Sequence, residues 1–296
     1  MNPSLRGGTT KQSTMSETEN MILIADSGAT KTDWCLSNRG EQIQRIITSG
    51  LNPYFVSEEE IEREIRLSLL PNLQTHRFDA FYFYGAGCTP EKIPMMHTVL
   101  NRCFETKTSV VDSDLLGAAR GAFGRTPGIV CILGTGSNSC YYDGEKIVSN
   151  VPSLGFILGD EGSGSALGKL LVSDLLKNQL PAGLKEKFLQ EFDLTVGMII
   201  ERVYRRPFPN RFLASFSPFL LRNIEEPALR LLVFNGFRSF LTRNVMQYDY
   251  KRYPIRFIGS VAYYYREILE EAVLACGMQS GGIVRHPMEG LVKYHE

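Results

Sequence analysis

MILIADSGATKTDWCL, residues 21–36, reads as a strand, a tight turn and a second strand. The apolar run stops at Asp26, and the turn that follows is made of small residues and hydroxyls with Lys31 at its far end. Small residues let backbone N–H groups approach an anion, and hydroxyls add further donors, so phosphate is the natural guest. The design recurs in GIVCILGTGSNSCYYDG, residues 128–144, where an apolar strand meets a Gly/Thr/Ser turn and an aromatic second strand ended by Asp-Gly. A third small-residue turn, GDEGSG at 159–164, feeds a helix. None is a familiar nucleotide loop. The first lacks Gly directly before Lys31 and continues as a strand where a Walker loop enters a helix. GTGSNS (134–139) sits between strands without the third Gly of a dinucleotide fingerprint.

Working outward, strands alternate with helices. Ser57 and Glu60 form a capping box, and Ile61, Ile65 and Leu69 share the face of the helix it opens. DAFYFYGAG (79–87) is a strand running into a Gly turn, and TSVVD (108–112) is a short buried strand. DLLGAARGAF (114–123) is a helix of small residues, and Leu167, Leu171 and Leu175 line another after the third turn. Residues 183–250 are helical in pattern, 255–275 read strand, Gly-Ser turn, helix, and HPMEGLVKYHE closes the chain as a short helix. This order predicts an α/β protein of two similar halves.

Composition sets the outer bounds. The 296 residues are 43% hydrophobic, enough for a real core, and carry zero formal net charge, so no global field favours nucleic acid or a membrane surface. No apolar run reaches the roughly 18 residues of a span, which predicts a soluble, cytoplasmic protein. Residues 1–20 are polar with no apolar h-region, and are expected to be a disordered extension with Met21 as a candidate start. Cysteines 35, 88, 103, 131, 140 and 276 form no CxxC pair, which favours reduced thiols over zinc or iron–sulfur ligation.

Together DSGATKTD (26–33), SDLLGAARGAFG (113–124), GTGSN (134–138), GDEGSG (159–164) and FIGSVA (257–262) resemble the N-acetylglucosamine kinase and BadF/BadG ATPase family. That family lies within the actin/hexokinase/Hsp70 ATPase superfamily. The resemblance covers 21–296 and is loose from 180 to 250. It implies two ribonuclease-H-like domains flanking a nucleotide cleft: 21–117, with a C-terminal helix at about 287–296 packing back on it, and 118–286. It also implies ATP, Mg2+ and a sugar acceptor, with a homodimer compatible. By resemblance Asp26 holds Mg2+ through water, consistent with the ion's reluctance to shed its waters. Gly28, Thr30, Lys31, Thr135 and Gly136 cradle phosphates, Gly259 and Ser260 stand on the adenosine side, and Asp114 is the catalytic carboxylate. Asn52, Ala86, Gly87, Asp114, Asn138 and Asp160 face the sugar, where Asn and Asp offer paired donors or acceptors to adjacent hydroxyls. Each has a plainer reading. Asp26 caps its own turn, Lys31 is a solvated lysine, and Asp114 is a plain helix N-cap, a place where the dipole favours a carboxylate. Glu161 and Ser163 are read as caps of the helix that follows.

The implied activity is transfer to the 6-hydroxyl of N-acetylglucosamine or a close N-acetylhexosamine. Where the animal enzymes carry a Trp and a His ahead of GDEGS, this chain has Leu154 and Phe156, which predicts an apolar wall in place of an aromatic stack. N-acetylmuramic acid stays open as acceptor, since Arg205, Arg206 or Arg211 lies in the loosely matched region. A BadF-type ATPase activator is a further alternative, disfavoured because Cys88 and Cys131 lack a Cys-rich loop. A catalytically silent sensor is another, and the residues before Met21 are too few for a helix-turn-helix.

Overall fold

The computed structural model describes residues 21–296, so the expected disordered extension lies outside the described residues. Two five-stranded sheets form the frame. The first contains β1 (Met21–Ser27), β2 (Lys31–Asn38), β3 (Glu41–Ser49), β4 (Ala80–Gly85) and β5 (Thr108–Ser113), ordered β3-β2-β1-β4-β5. The second contains β6 (Gly128–Leu133), β7 (Ser137–Tyr142), β8 (Ile147–Val151), β9 (Ile255–Ile258) and β10 (Ser280–Val284). Read as β8-β7-β6-β9-β10, it repeats the first strand for strand. In each sheet an antiparallel meander leads, and two parallel strands follow on the other flank of its first strand. The duplication legible in the two turns extends to whole sheets.

Helices α1 (Glu58–Glu64) and α2 (Ile93–Cys103) belong to the first half of the chain, and α3 (Asp114–Phe123) runs unbroken across the expected boundary at 117/118. Then come α4 (Gly155–Leu158), α5 (Gly164–Leu176), α6 (Leu184–Glu191), α7 (Val196–Tyr204), α8 (Pro209–Ala214), α9 (Ser217–Arg222) and α10 (Pro227–Arg243). The chain ends with α11 (Ser260–Tyr264), α12 (Arg266–Ala275) and α13 (Met288–Tyr294). The Ser57/Glu60 capping box forms as predicted, and Ile61, Ile65 and Leu69 are all buried, the last two in a π-helical turn that prolongs α1. The second sheet and α5–α12 enclose the largest core.

Strand alternation divides the first sheet between two cores. Leu23, Ala25 and Trp34 face α1 and α2, where Trp34 donates to Thr48 Oγ1 at 2.8 Å. Ile24, Cys35 and Tyr84 face α3 and α13, and join Val130, Cys140, Tyr142 and Ile258 of the second sheet in one cluster. That shared core joins the two halves. A seven-residue helix has no stability of its own in water, so α13 is held by burying Met288, Leu291 and Val292, at roughly 1.5–3 kcal/mol each. It crosses α3 backbone to backbone, since a Cβ on Gly290 would stand 1.8 Å from the Gly121 carbonyl oxygen. Of the six thiols, Cys35, Cys88, Cys131 and Cys140 are buried, Cys103 and Cys276 are half-buried, and all are free. Among the described residues no helix is long and apolar enough to cross a membrane.

Candidate functional site

The first turn closes with Gly28 N–H donating to Lys31 O at 2.9 Å, and it is tied to the end of β3 by Gly50 N–H donating to Thr30 O at 3.1 Å. Ser27 Oγ, paired with Thr32 Oγ1 at 2.8 Å, also accepts Leu51 N–H at 3.1 Å. The second turn is sewn to the start of α5: Gly134 O accepts Gly164 N–H at 2.8 Å and Thr135 O accepts Ser165 N–H at 3.0 Å. The two turns meet. Thr30 Oγ1 and Thr135 Oγ1 lie 3.2 Å apart, although 105 residues separate them in the chain. Gly259 lies next to the second turn, its Cα so close to β6 that a Cβ would stand 2.3 Å from Leu133 O, and Ser260 is exposed at the start of α11.

Three carboxyls around these turns hold their protons unusually tightly. Asp26 is pushed up to about 7 by burial, by Asp114 and by Asp33, with Lys31 and Arg45 pulling the other way. Asp33 stands opposite Asp26 in the β1/β2 register and is already spoken for, accepting Arg45 Nε at 2.7 Å. Asp114 opens α3 behind the Ser113 cap and is raised to about 6 by burial, with the N–H groups of Leu115 and Asp114 itself opposing. Asp160, in the left-handed region at φ 57°, is raised to about 6 by burial while accepting Ser137 N–H at 3.1 Å. Asp112 instead accepts Ser113 N–H at 2.7 Å.

The residues expected at the sugar fall into two groups. On the first half, the Asn52 side chain lies against Gly87, where a Cβ would meet Asn52 Oδ1 at 2.3 Å, and Ala86 N–H donates to Ser27 O at 2.7 Å. On the second half, a Cβ on Gly136 would stand 3.0 Å from the Asp160 carboxylate, so Asp160 backs the second turn. Asn138 shares a face of β7 with Cys140, whose thiol is raised to about 12 by burial and by the charge of Asp114. Its Oδ1 already accepts Ser139 N–H and Asn150 Nδ2, both at 2.9 Å, which leaves its amide NH2 to donate.

Some expectations need correcting. Ser163 caps α5 through Ala166 N–H, but Glu161 does not, being drawn into an ion pair with Arg243 at 2.5 Å. The expected apolar wall is half built. Leu154 is 60% exposed, whereas Phe156 turns inward against the second-half core. Sequence reasoning also missed a contact between the halves. The ring of Phe55, three residues beyond Asn52, meets Phe208 edge-on at 6.1 Å, and Arg211 stacks on Phe208 at 4.2 Å. With Gly50 and Leu51 these three line a cavity of about 280 Å³ beside the loop that carries Asn52. A cavity of about 370 Å³ at residues 77–79 and 105–107 lies at the opposite end of β4 and β5 and takes no part in the site.

No protein-family model and no curated protein matches the sequence. Among solved structures, a proposed N-acetylglucosamine kinase of Porphyromonas gingivalis is 51% identical, with 93% of this chain and 98% of that one covered at a TM-score of 0.91. A proposed N-acetylglucosamine kinase of Chromobacterium violaceum shares the fold at 16% identity, over 94% of this chain and 99% of that one, with a TM-score of 0.71. So does a ROK family glucokinase of Streptomyces griseus solved with glucose and AMPPNP, at 16% identity over 93% and 98% of the two chains and a TM-score of 0.55. With half of its residues shared along nearly the whole of the first of these, the chain belongs to the N-acetylglucosamine kinase family.

Proposed function

We propose that the protein transfers the γ-phosphoryl group of ATP to the 6-hydroxyl of N-acetylglucosamine or a close N-acetylhexosamine. The observation that carries this is the meeting of Thr30 with Thr135, which sets two anion-cradling turns face to face beside a pair of half-buried carboxyls, Asp26 and Asp114. The 51% identical relative, itself a proposed N-acetylglucosamine kinase, supports the acceptor class. In this reading two lobes, 21–117 with the C-terminal helix and 118–286, close on the substrates. Gly28, Thr30, Lys31, Thr135 and Gly136 hold the phosphates, and Gly259 and Ser260 the adenosine. Asn52, Ala86, Gly87, Asn138 and Asp160 orient the sugar from opposite lobes.

Asp114 accepts the proton of the attacking hydroxyl. With its carboxyl at about 6 it is ionised at neutral pH yet remains a usefully strong base. Asp26 and Asp114 repel one another, Asp33 adds to the repulsion, and Arg45 is committed to Asp33. A divalent cation relieves that repulsion, so the residues present fit Mg2+ held by Asp26 through water. When bound, it supplies charge neutralisation for a phosphoryl transfer that otherwise needs mostly positioning. We place the enzyme in the cytoplasm, with a homodimer compatible.

N-acetylmuramic acid is the second reading, favoured by one observation. Arg211 is half-buried beside the loop that carries Asn52, whereas Arg206 is turned outward to Glu201. ADP release measured against a panel of amino sugars tests both. The expected result is the highest kcat/KM for N-acetylglucosamine. A clear preference for the muramic sugar moves the acceptor to the second reading, and silence on every sugar overturns the kinase.

A further inference from the structure

Tyr84 stands in the row of β-sheet residues that carries the acids. In register it lies between Asp26 on β1 and Asp112 on β5, and its side chain is fully buried between the two halves. Its hydroxyl has two partners from distant parts of the chain. Arg120 Nη1 donates to it at 2.8 Å, and His295 Nε2 lies 2.9 Å away. Because Arg120 supplies a donor, the Tyr84 hydroxyl proton is free to go to His295. The imidazole is suited to receive it: burial, with Arg120 and Arg125, lowers its pKa to about 4, so it is neutral at working pH. The ring of Tyr82 stacks on His295 at 3.6 Å, and Tyr294 lies under both Arg120 and Arg125, at 5.0 and 4.9 Å. Arg120 Nε, buried in this cluster, has no hydrogen-bond partner among the described residues, a cost that packing alone gives no reason to retain.

The same tyrosine grips α3 at two successive turns. A Cβ on Gly117 would fall 2.6 Å from both Cβ and Cγ of Tyr84, and Arg120, one turn on, holds the hydroxyl. Asp114 is the first residue of that helix. A shift of the ring or of its hydroxyl therefore moves the start of α3 as a body, and displacements of about 1 Å cost up to roughly 100-fold in rate.

We propose that His295, acting through Tyr84 and Arg120, is a positioning residue that sets the place of Asp114 from the C-terminal end of the chain. This rests on the assignment of Asp114 as the proton acceptor. It gives a residue of the segment after α13 a part in catalysis without touching either substrate.

The test compares His295→Ala, His295→Gln and Tyr84→Phe in the full-length protein. Expected for His295→Ala and Tyr84→Phe is a fall in kcat of about tenfold or more, with KM for ATP and for the sugar within about twofold of wild type. Amide exchange at Leu115, Leu116 and Gly117 should quicken in the same two variants. His295→Gln, whose amide oxygen can still accept the tyrosine proton, should recover most of the rate. Unchanged kcat, or kcat lost only in step with the thermal transition and not recovered by Gln, overturns the proposal. If His295→Ala does not fold, Tyr84→Phe, which deletes one oxygen, decides alone. If the wild type phosphorylates no sugar, the kinase reading fails, and the exchange rates at 115–117 still show whether His295 holds the helix.

Discussion

Asp114 combines two demands that pull apart. It is half-buried, which favours the neutral form, while proton acceptance needs the charged one. Asp114→Asn should leave ATP and sugar binding near wild type and lower kcat by about two to four orders of magnitude. The wild-type kcat/KM should rise with pH through about 6, and the residual activity of the variant should lack that limb. Stability should move the other way. A carboxyl at about 6 when folded, against its ordinary 3.8 in the unfolded chain, binds its proton more tightly in the fold. The stability it lends is therefore complete below about 4 and lost as pH rises through about 6. Asn never carries that charge, so the variant should melt higher than wild type at pH 8, and the gap should close towards pH 4. Calorimetry at the two pH values checks it, and an equal or lower melting point at pH 8 would show that burial of Asp114 is not what raises its pKa. Asp114 was legible because it follows a strand and opens a helix within a recognisable run of residues. Tyr84, Arg120 and His295 were not, because what joins them is a hydrogen bond spanning 211 residues.

Elements with strong local signals were readable. The capping box announced α1, and α3 has the bounds that its run of small residues implied, although its cap is Ser113 and not Asp114. Helix α2 and strands β3, β8 and β10 left no such mark. β3 and β8 are polar edge strands that exist because β2 and β7 present unpaired backbone, and β10, SGGIV, carries two glycines poorly suited to strands. The crossing of α3 and α13 is another feature of the assembled molecule. Gly→Ala within a helix ordinarily stabilises by about 1 kcal/mol. Gly290→Ala should instead destabilise by about 1–3 kcal/mol, because its methyl meets the backbone of Gly121 and the helices must part. A melting temperature at or above wild type would show that the crossing yields freely.

As a whole the molecule is one pattern of five strands used twice, fastened through a shared core and facing itself across two turns. The repetition was visible in the sequence as two similar turns. How the second half leans on the first was not, because Phe208 and Arg211 come from a stretch with helical pattern and little else to mark it. If Thr30, Thr135, Phe55 and Phe208 mark the seam along which the halves close, then acceptor and a non-hydrolysable ATP analogue together should shorten the distance between the halves more than either alone. Nature has placed the reporters for that measurement. Cys103 sits at the end of α2 in one half and Cys276 just past α12 in the other, both half-buried, while the other four thiols are shut inside. A donor and an acceptor dye added to the unaltered protein therefore attach first at one point on each side of the seam, and energy transfer between them reads its opening and closing without a single substitution.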